Sequence, residues 1–411
     1  AKAAAKSVTP KPLLKFVPDL PSTIPLYYDN VSQQNFEASV LACLPLIGED
    51  IPKGASHGVI LDKTCFYPEG GGQEADYGTL VSNSSSLSVL DTRKLNGMII
   101  HLVNGEFEVG DMVYGQLDWP RRLQLMDHHT SVHIVGGAAR KLLGPHIYQA
   151  GANKSVDSAR LDITHHKRLG RSDLDAIESL ANDVLKSVAR TEKITLSRKE
   201  ADEKYGFDLY QGGAPKGGQI RILRISDHDI QACGGTHHDE PNRIGQIRLV
   251  RSNAVQDGVE RLHIVAGKAA MDHARSQESI LRDTSEVFQV PVDELPSTAS
   301  RFFNEWKEQR KRIETLEAEI VRLRTTDSGN DMTEIDGVRV VIMEVDGDLK
   351  QMTKMLKELT LDLEKPTLAV LGSRVGGGKL MVATTENSVA SERYNAVDIL
   401  NSISSHISGG G

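Results

Sequence analysis

Four residues in two short stretches have the types and spacing to hold a metal ion. The stretch CGGTHHDE places Cys233 and His237 four residues apart around two glycines, and MDHHTSVH, about a hundred residues upstream, places His129 and His133 at the same interval. A helical turn is 3.6 residues, so on a helix His129 and His133 leave one face and can share an ion, while His128 points elsewhere. Taken alone, such a histidine pair on a helix is more often structural or solvated than ligating, because HxxxH arises often by chance. The glycines of CGGTH let a tight loop turn both side chains inward, although a glycine turn between strands around a buried cysteine would read the same. Together the pairs offer three imidazole nitrogens and one sulfur, a set suited to tetrahedral zinc. One thiolate and three neutral imidazoles leave such a centre with a charge of +1, able to attract a carbonyl oxygen, an amine or a hydroxyl.

A second stretch, FYPEGGGQEAD, runs from Phe66 to Asp76 with glycine at 70, 71 and 72. The glycines permit either close approach of backbone to a ligand or a simple turn. Gln73 follows with an amide that both donates and accepts.

The rest of the chain must position these residues. Residues 1–25 hold five prolines and read as an extended lead-in or linker. From residue 26 to about 115, short strand runs such as HGVILDKTCFYP and MIIHLVNGEF alternate with turns, predicting a small β-barrel-like domain. From 116 to 267 the period changes. Pro120 suits the first turn of a helix carrying the two histidines, a second helix is expected with Ser172 as its N-cap, and strands such as SARLDITH and QIRILRISD follow, giving a two-layer α/β domain. Residues 268–327 read as a helical or coiled-coil linker, broken into two helices by PVDELP. Trp306, Ile313 and Ile320 recur by seven, as do Phe302, Gln309, Leu316 and Leu323, so this seam either packs on its own domain or pairs two chains. After a polar break, residues 328–411 read β-α-β-β-α, a small α/β domain. The fold class is thus α+β and multidomain.

Composition agrees with this layout. The chain has 411 residues, 39% hydrophobic and 25% charged, enough for several packed cores. Three cysteines, Cys43, Cys65 and Cys233, argue against a disulfide scaffold and for a reducing compartment. No run approaches the roughly 18 apolar residues of a membrane span. The first residue is not Met, and the proline-rich start reads as a cut through a longer chain. A net charge of −8 argues mildly against nucleic-acid binding driven by the whole surface and leaves room for a local basic patch.

In order along the chain, FYPEGGGQEAD, HHTSVH, YQAGA, ARLDITH, KYGFDLYQGG and QACGGTH resemble the editing half of alanyl-tRNA synthetases of archaeal type, from about Pro25 onward. The resemblance implies hydrolysis of tRNA(Ala) mischarged with serine or glycine, without the aminoacylating half. It implies zinc as cofactor, on His129, His133, Cys233 and His237. Substrate-binding residues would be Thr64, reading a serine hydroxyl, Gly71, Gly72 and Gln73 of the glycine loop, and Gln149 of YQAGA. It further implies a zinc-dependent editing domain over 116–267, a C-terminal tRNA-binding and dimerisation domain over 328–411, a homodimer through the C-terminal region, no membrane partner and a cytoplasmic location. Two alternatives stand beside it: a free-standing trans-editing hydrolase, and a non-catalytic tRNA-binding module with structural zinc. Two departures from the family pattern are Val132, where threonine is common before the second helical histidine, and the ending at ISGGG. No carboxylate stands out as a general base, although Glu69, Asp127 and Asp162 lie near the motifs.

Overall fold

The computed structural model describes residues 13–14, 16, 18–213, 215, 217–327, 332–386 and 389–404. Much of the expected lead-in, the polar break at 328–331 and the terminal ISGGG lie outside the described residues. The chain forms two compact units, residues 1–280 and 281–411.

The first unit opens with eight strands: β1 (Ile24–Pro25), β2 (Asn35–Pro45), β3 (His57–Leu61), β4 (Lys63–Thr64), β5 (Gly78–Val81), β6 (Ser86–Leu95), β7 (Met98–Val103) and β8 (Met112–Leu117). Six of them close an antiparallel barrel in the order β2-β3-β7-β6-β5-β8, which leaves no open edge. The expected barrel is therefore present. Alternation drives it: in β8 the residues at 113, 115 and 117 are buried and those between them exposed. The inward set, including Phe36, Val40, Phe66, Leu80, Val113 and Leu117, fills the interior. β7 is buried on both faces, because Met98, Ile100 and Leu102 pack outward against Leu14, Ala42 and Ile60.

Helix α1 (Trp119–Leu143) follows directly. The Asp118 side chain caps it, accepting the Arg121 N–H at 3.2 Å, and Pro120 occupies the first turn as expected. Then come β9 (Gln149–Lys154), β10 (Ala159–Thr164), α2 (Arg171–Ser187), β11 (Glu192–Ser197), α3 (Arg198–Tyr205), β12 (Gln219–Ile225), β13 (Asp229–Ala232), β14 (Ile247–Gln256), β15 (Val259–Ala266) and α4 (Gly267–Phe288). The order β14-β15-β10-β9 makes one antiparallel sheet, and β11-β12-β13 makes a second. Val135 and Ala138 of α1, Ile177 and Ala181 of α2, and Leu161 and Leu262 of the sheet share one core. α2 starts at Arg171 with Gly170 as N-cap, where Ser172 was expected. The Asp173 carboxylate accepts the Gly170 N–H at 2.8 Å, so the cap is supplied from inside the first turn and Ser172 is already helical.

The second unit contains α5 (Leu295–Asp327), β16 (Met332–Ile335), β17 (Val338–Glu344), α6 (Leu349–Leu359), β18 (Thr367–Ser373), β19 (Lys379–Thr384), α7 (Val389–Arg393) and α8 (Ala396–Ser404). Its sheet runs β16-β17-β18-β19, with β17 and β18 parallel across α6, which buries Met352, Met355, Leu356 and Leu359 against it. The sequence pattern missed β16, because all four of its residues are exposed and no alternation marks it. Along α5 the seam residues Phe302, Trp306, Ile313, Leu316, Ile320 and Leu323 are all exposed.

Within the first unit, one buried ion pair joins helix to barrel. Arg122 of α1 is fully buried, and its Nε lies 3.0 Å from both carboxylate oxygens of Asp76, with Nη2 on the Cys65 carbonyl at 2.7 Å. Asp76 also accepts the Tyr67 N–H at 2.6 Å. Removing one partner strands the other charge, so Asp76→Ala should lower stability by about 3–5 kcal/mol. Adding Arg122→Met should recover much of that loss. Urea unfolding of both variants checks this, and a single-mutant loss below about 1 kcal/mol would show that the pair does not hold helix to barrel.

Candidate metal centre

The residues singled out by spacing converge. His129 and His133 lie one turn apart on α1 with ring centroids 5.5 Å apart. His237, in the loop after β13, brings its ring to 4.2 Å from His129 and 4.9 Å from His133. Cys233 Sγ lies 3.4 Å from His129 Nε2 and 3.2 Å from His237 Nε2. One donor atom from each of the four falls within 4.8 Å of all the others. Around a tetrahedral ion with bonds of about 2.0–2.3 Å, donor atoms sit about 3.4–3.6 Å apart, so the cluster fits such an ion with small adjustment.

The outer nitrogen of each ring fixes which nitrogen faces inward. His129 Nδ1 donates to Gln73 Oε1 at 2.7 Å, leaving the Nε2 lone pair toward Cys233. Gln73 cannot flip, because its oxygen also accepts the Thr236 N–H at 3.1 Å and its nitrogen donates to Thr236 Oγ1 at 2.8 Å. His133 Nδ1 donates to Asp229 Oδ2 at 3.0 Å, a carboxylate–histidine pairing typical of metal sites. His237 Nδ1 faces Thr130 Oγ1 at 3.4 Å. The glycines of CGGTH make the approach possible: a Cβ on Gly235 would lie 2.1 Å from His129 Cε1.

Burial holds His129 and His237 well below the ordinary histidine pKa, so both are neutral. For His133 burial also opposes charge, but the hydrogen bond it donates to Asp229 and the charge of Cys233 outweigh it and raise the pKa to about 9. For Cys233 burial opposes the thiolate, and His133 and Lys154 outweigh it, lowering the pKa to about 7. These shifts favour a proton on His133 and ease its loss from Cys233, beside two neutral rings.

The glycine loop is a two-residue turn. Gly70 and Gln73 exchange backbone hydrogen bonds at 3.1 and 3.0 Å, and Gly71 and Gly72 both have positive φ, which such a turn requires. It docks on the end of β9: Lys154 N–H donates to the Gly72 carbonyl at 2.6 Å, and a Cβ on Gly72 would lie 2.2 Å from the Ala152 oxygen. The metal cluster opens onto a cavity of about 950 Å³.

Of the residues expected to bind substrate, Gly71 and Gln149 line this cavity. Thr64, Gly72 and Gln73 do not. Thr64 is fully buried, and its hydroxyl is committed. His101 Nδ1 donates to the Val59 carbonyl at 3.0 Å, so its Nε2 accepts the Thr64 proton at 2.8 Å, while Thr64 Oγ1 accepts the Phe66 N–H at 3.1 Å. Gln73 holds His129 rather than facing the cavity. Val132 is buried in the apolar core. Among the carboxylates near the motifs, Asp127 is bonded to His238 at 2.6 Å and Asp162 is paired with Arg261, leaving Glu69 on the cavity wall. Sequence spacing gave no signal for Asp229, Thr130 or Thr236, which orient the cluster, nor for Lys154, Lys193 and Arg221 in the wall.

Comparison with known proteins adds two family matches. Residues 10–121 match the model of tRNA synthetases class II (A), and residues 220–263 match that of the threonyl and alanyl tRNA synthetase second additional domain. The alanine–tRNA ligase of Haloquadratum walsbyi is 41% identical over 382 residues, 93% of this chain and 40% of the relative. That of Pyrococcus furiosus is 41% identical over 365 residues, 87% of this chain and 39% of the relative. The chain therefore spans about two fifths of the length of the curated relatives it matches.

Two outcomes follow from the ring orientations. Gln73→Ala removes the acceptor that fixes His129, and should weaken divalent-metal affinity about 10–100-fold in competition with a chromophoric chelator. Unchanged affinity would show that Gln73 does not orient a ligand. Metal uptake near pH 8 should release about one proton, chiefly from His133, and the release should fade as pH rises through about 9. Calorimetry in buffers of different ionisation enthalpy reads this directly, and proton-neutral binding at pH 8 would contradict it.

Proposed function

The chain is homologous to archaeal alanine–tRNA ligases along nine-tenths of its length, and on that premise we propose that it hydrolyses tRNA(Ala) mischarged with serine or glycine, as the editing and C-terminal part of such a ligase. The observation that carries this reading is the buried Cys–His cluster opening onto a cavity large enough for an aminoacylated nucleoside. The cavity wall is cationic: it holds Lys94, Lys154, Lys193 and Arg221 against Asp29 and Glu69, although the chain as a whole carries −8. A concave positive wall in an acidic protein suits one end of an RNA chain rather than a duplex spread over the surface.

In this reading zinc is held by His129, His133, Cys233 and His237, and when bound it supplies a positive centre that polarises or anchors the ester or lowers the pKa of a water to about 7. The protein's own residues do the rest. Gly71 and Gln149 edge the space available to the aminoacyl end. Arg221 is fixed by donating to the Cys233 and Gly235 carbonyls at 2.8 and 3.0 Å, with its guanidinium 4.8 Å from the Tyr28 ring centroid, so it presents a rigid cation to an incoming phosphate. Tyr28 in turn donates to the Gly234 carbonyl at 2.9 Å and steadies the ligand loop.

The proposal extends to the domains along the chain: a barrel domain over 26–115, the editing domain over 116–267, a helical linker over 268–327 and a C-terminal domain over 328–411 that binds tRNA and pairs two copies in the cytoplasm. The exposed apolar seam of α5 supports the pairing.

Elemental analysis of protein purified without chelators should give one zinc per chain. The purified chain should deacylate seryl-tRNA(Ala), and Cys233→Ala should abolish turnover while the far-UV spectrum stays unchanged, since its loss is confined to one ligand. Zinc-replete protein without hydrolysis would leave the structural-zinc alternative instead. Light scattering should give a dimer, and Trp306→Glu with Ile313→Glu a monomer; a wild-type monomer at high micromolar concentration would refute pairing through the seam.

A further inference from the structure

One charged group beside the cluster has no carboxylate partner among the described residues. Lys154, the last residue of β9, is 2% exposed, yet its ammonium makes a single hydrogen bond, to the Gly71 carbonyl at 2.8 Å. No carboxylate lies within ion-pairing distance of it among the described residues. An ammonium has three N–H donors, so two are left over. A buried charge in this condition is costly unless something else completes it. Burial accordingly pushes its pKa down to about 8, against the attraction of Cys233.

The surroundings place this side chain at the cavity. Lys154 lines the same cavity as His129, His133 and Cys233. The residue it holds, Gly71, itself faces the cavity, with nothing within 4 Å of where a Cβ would be. The backbone of Lys154 is pinned at the same time, donating to Gly72 and accepting from Glu74 at 3.1 Å, so the side chain starts from a rigid base. A rigid, desolvated cation on the wall of the cavity beside the cluster is what an oxyanion needs.

Resting on the hydrolytic reading above, we propose that Lys154 is a catalytic residue whose ammonium donates to the carbonyl oxygen of the aminoacyl ester and stabilises the negative charge that forms there. Water oxygen bonds to the ester carbon, and the carbonyl π pair moves onto the oxygen facing Lys154. When that pair returns, the bond to the ribose oxygen breaks. The ribose oxygen takes up the proton that the water gives up, and the released amino acid carries the carboxyl group. Lys154 keeps its own proton throughout.

The test compares Lys154→Met and Lys154→Arg with the wild-type chain, zinc-replete, on seryl-tRNA(Ala) in single turnover over a range of protein concentrations. Removal of one such donor costs about 10²–10³-fold in rate. Lys154→Met should show a loss of that size at saturating protein, with half-saturation changed less than about threefold, one zinc per chain retained and no fall in melting temperature. Lys154→Arg should recover part of the rate. An unchanged saturating rate with weaker binding would overturn the proposal in favour of a phosphate anchor. Parallel loss of rate, zinc and melting temperature would reduce Lys154 to a pin for the glycine loop. No hydrolysis by the wild-type chain would overturn the hydrolytic reading itself, a result distinct from a wild-type rate in Lys154→Met, which would remove the lysine alone.

Discussion

Three imidazoles can aim lone pairs at one point only if the far side of each ring is told which nitrogen carries the proton. That constraint organises the first unit. His129 is answered by Gln73 from the barrel side, His133 by Asp229 from β13, and His237 by Thr130 from α1 itself. The ligands come from two places in the chain and their partners from three, so the cluster forms only where barrel, helix and second sheet meet. Gln73 has the widest reach. Its amide bonds at once to a ligand ring and to Thr236 in the loop carrying Cys233 and His237. Metal geometry is therefore coupled to the seating of the glycine loop on β9.

This arrangement explains an oddity of α1. Its middle carries Gln124, Asp127, His128, His129, Thr130 and Ser131, a polar run, yet all are buried. A helix polar on every face is normally exposed. Here the polar atoms are met one by one: Gln124 donates to the Ala266 carbonyl at 2.9 Å, His128 to the Ser155 carbonyl at 2.7 Å, and Asp127 accepts from His238 at 2.6 Å. Among the described residues the exceptions are Ser131 Oγ and Arg122 Nη1, which lack partners. Gly267 belongs to the same logic, since a Cβ there would lie 2.0 Å from the Asp127 carboxylate. Burial without a wide apolar stripe is affordable only with such matching, which also makes the helix a poor candidate for repositioning.

The legible part of the site was the part encoded by local period. HxxxH on a helix and CGGTH on a glycine loop are spacing signals, and the four side chains do converge. Alternation likewise revealed the barrel, because β2 and β8 bury every second residue. What local period cannot carry is the identity of a partner far away in sequence. Nothing in LDKTCFYP announces that the Thr64 proton belongs to His101, 37 residues on, and nothing in GGGQ says that the glutamine faces His129, 56 residues on, rather than the cavity. The same blindness hid β16, an exposed edge strand with no buried face to leave a pattern, and moved the start of α2, where the Asp173 side chain competes with Ser172 for the cap.

The glycine loop shows how one short stretch divides its work between packing and chemistry. Gly72 is there for packing, since the backbone of β9 passes too close for any side chain. Gly71 is turned the other way, into open cavity, and its carbonyl is the only acceptor that Lys154 has among the described residues. Replacing either glycine therefore has different physical consequences. At Gly72 a methyl group collides with backbone, which cannot yield, and the loop must lift from β9 and draw Gln73 away from His129. At Gly71 there is room for the methyl, and only the positive φ resists it, a local strain of order 1 kcal/mol. The cluster should thus be sensitive to the glycine that touches protein and tolerant of the glycine that faces the cavity, the reverse of what a purely ligand-approach account of the three glycines would give.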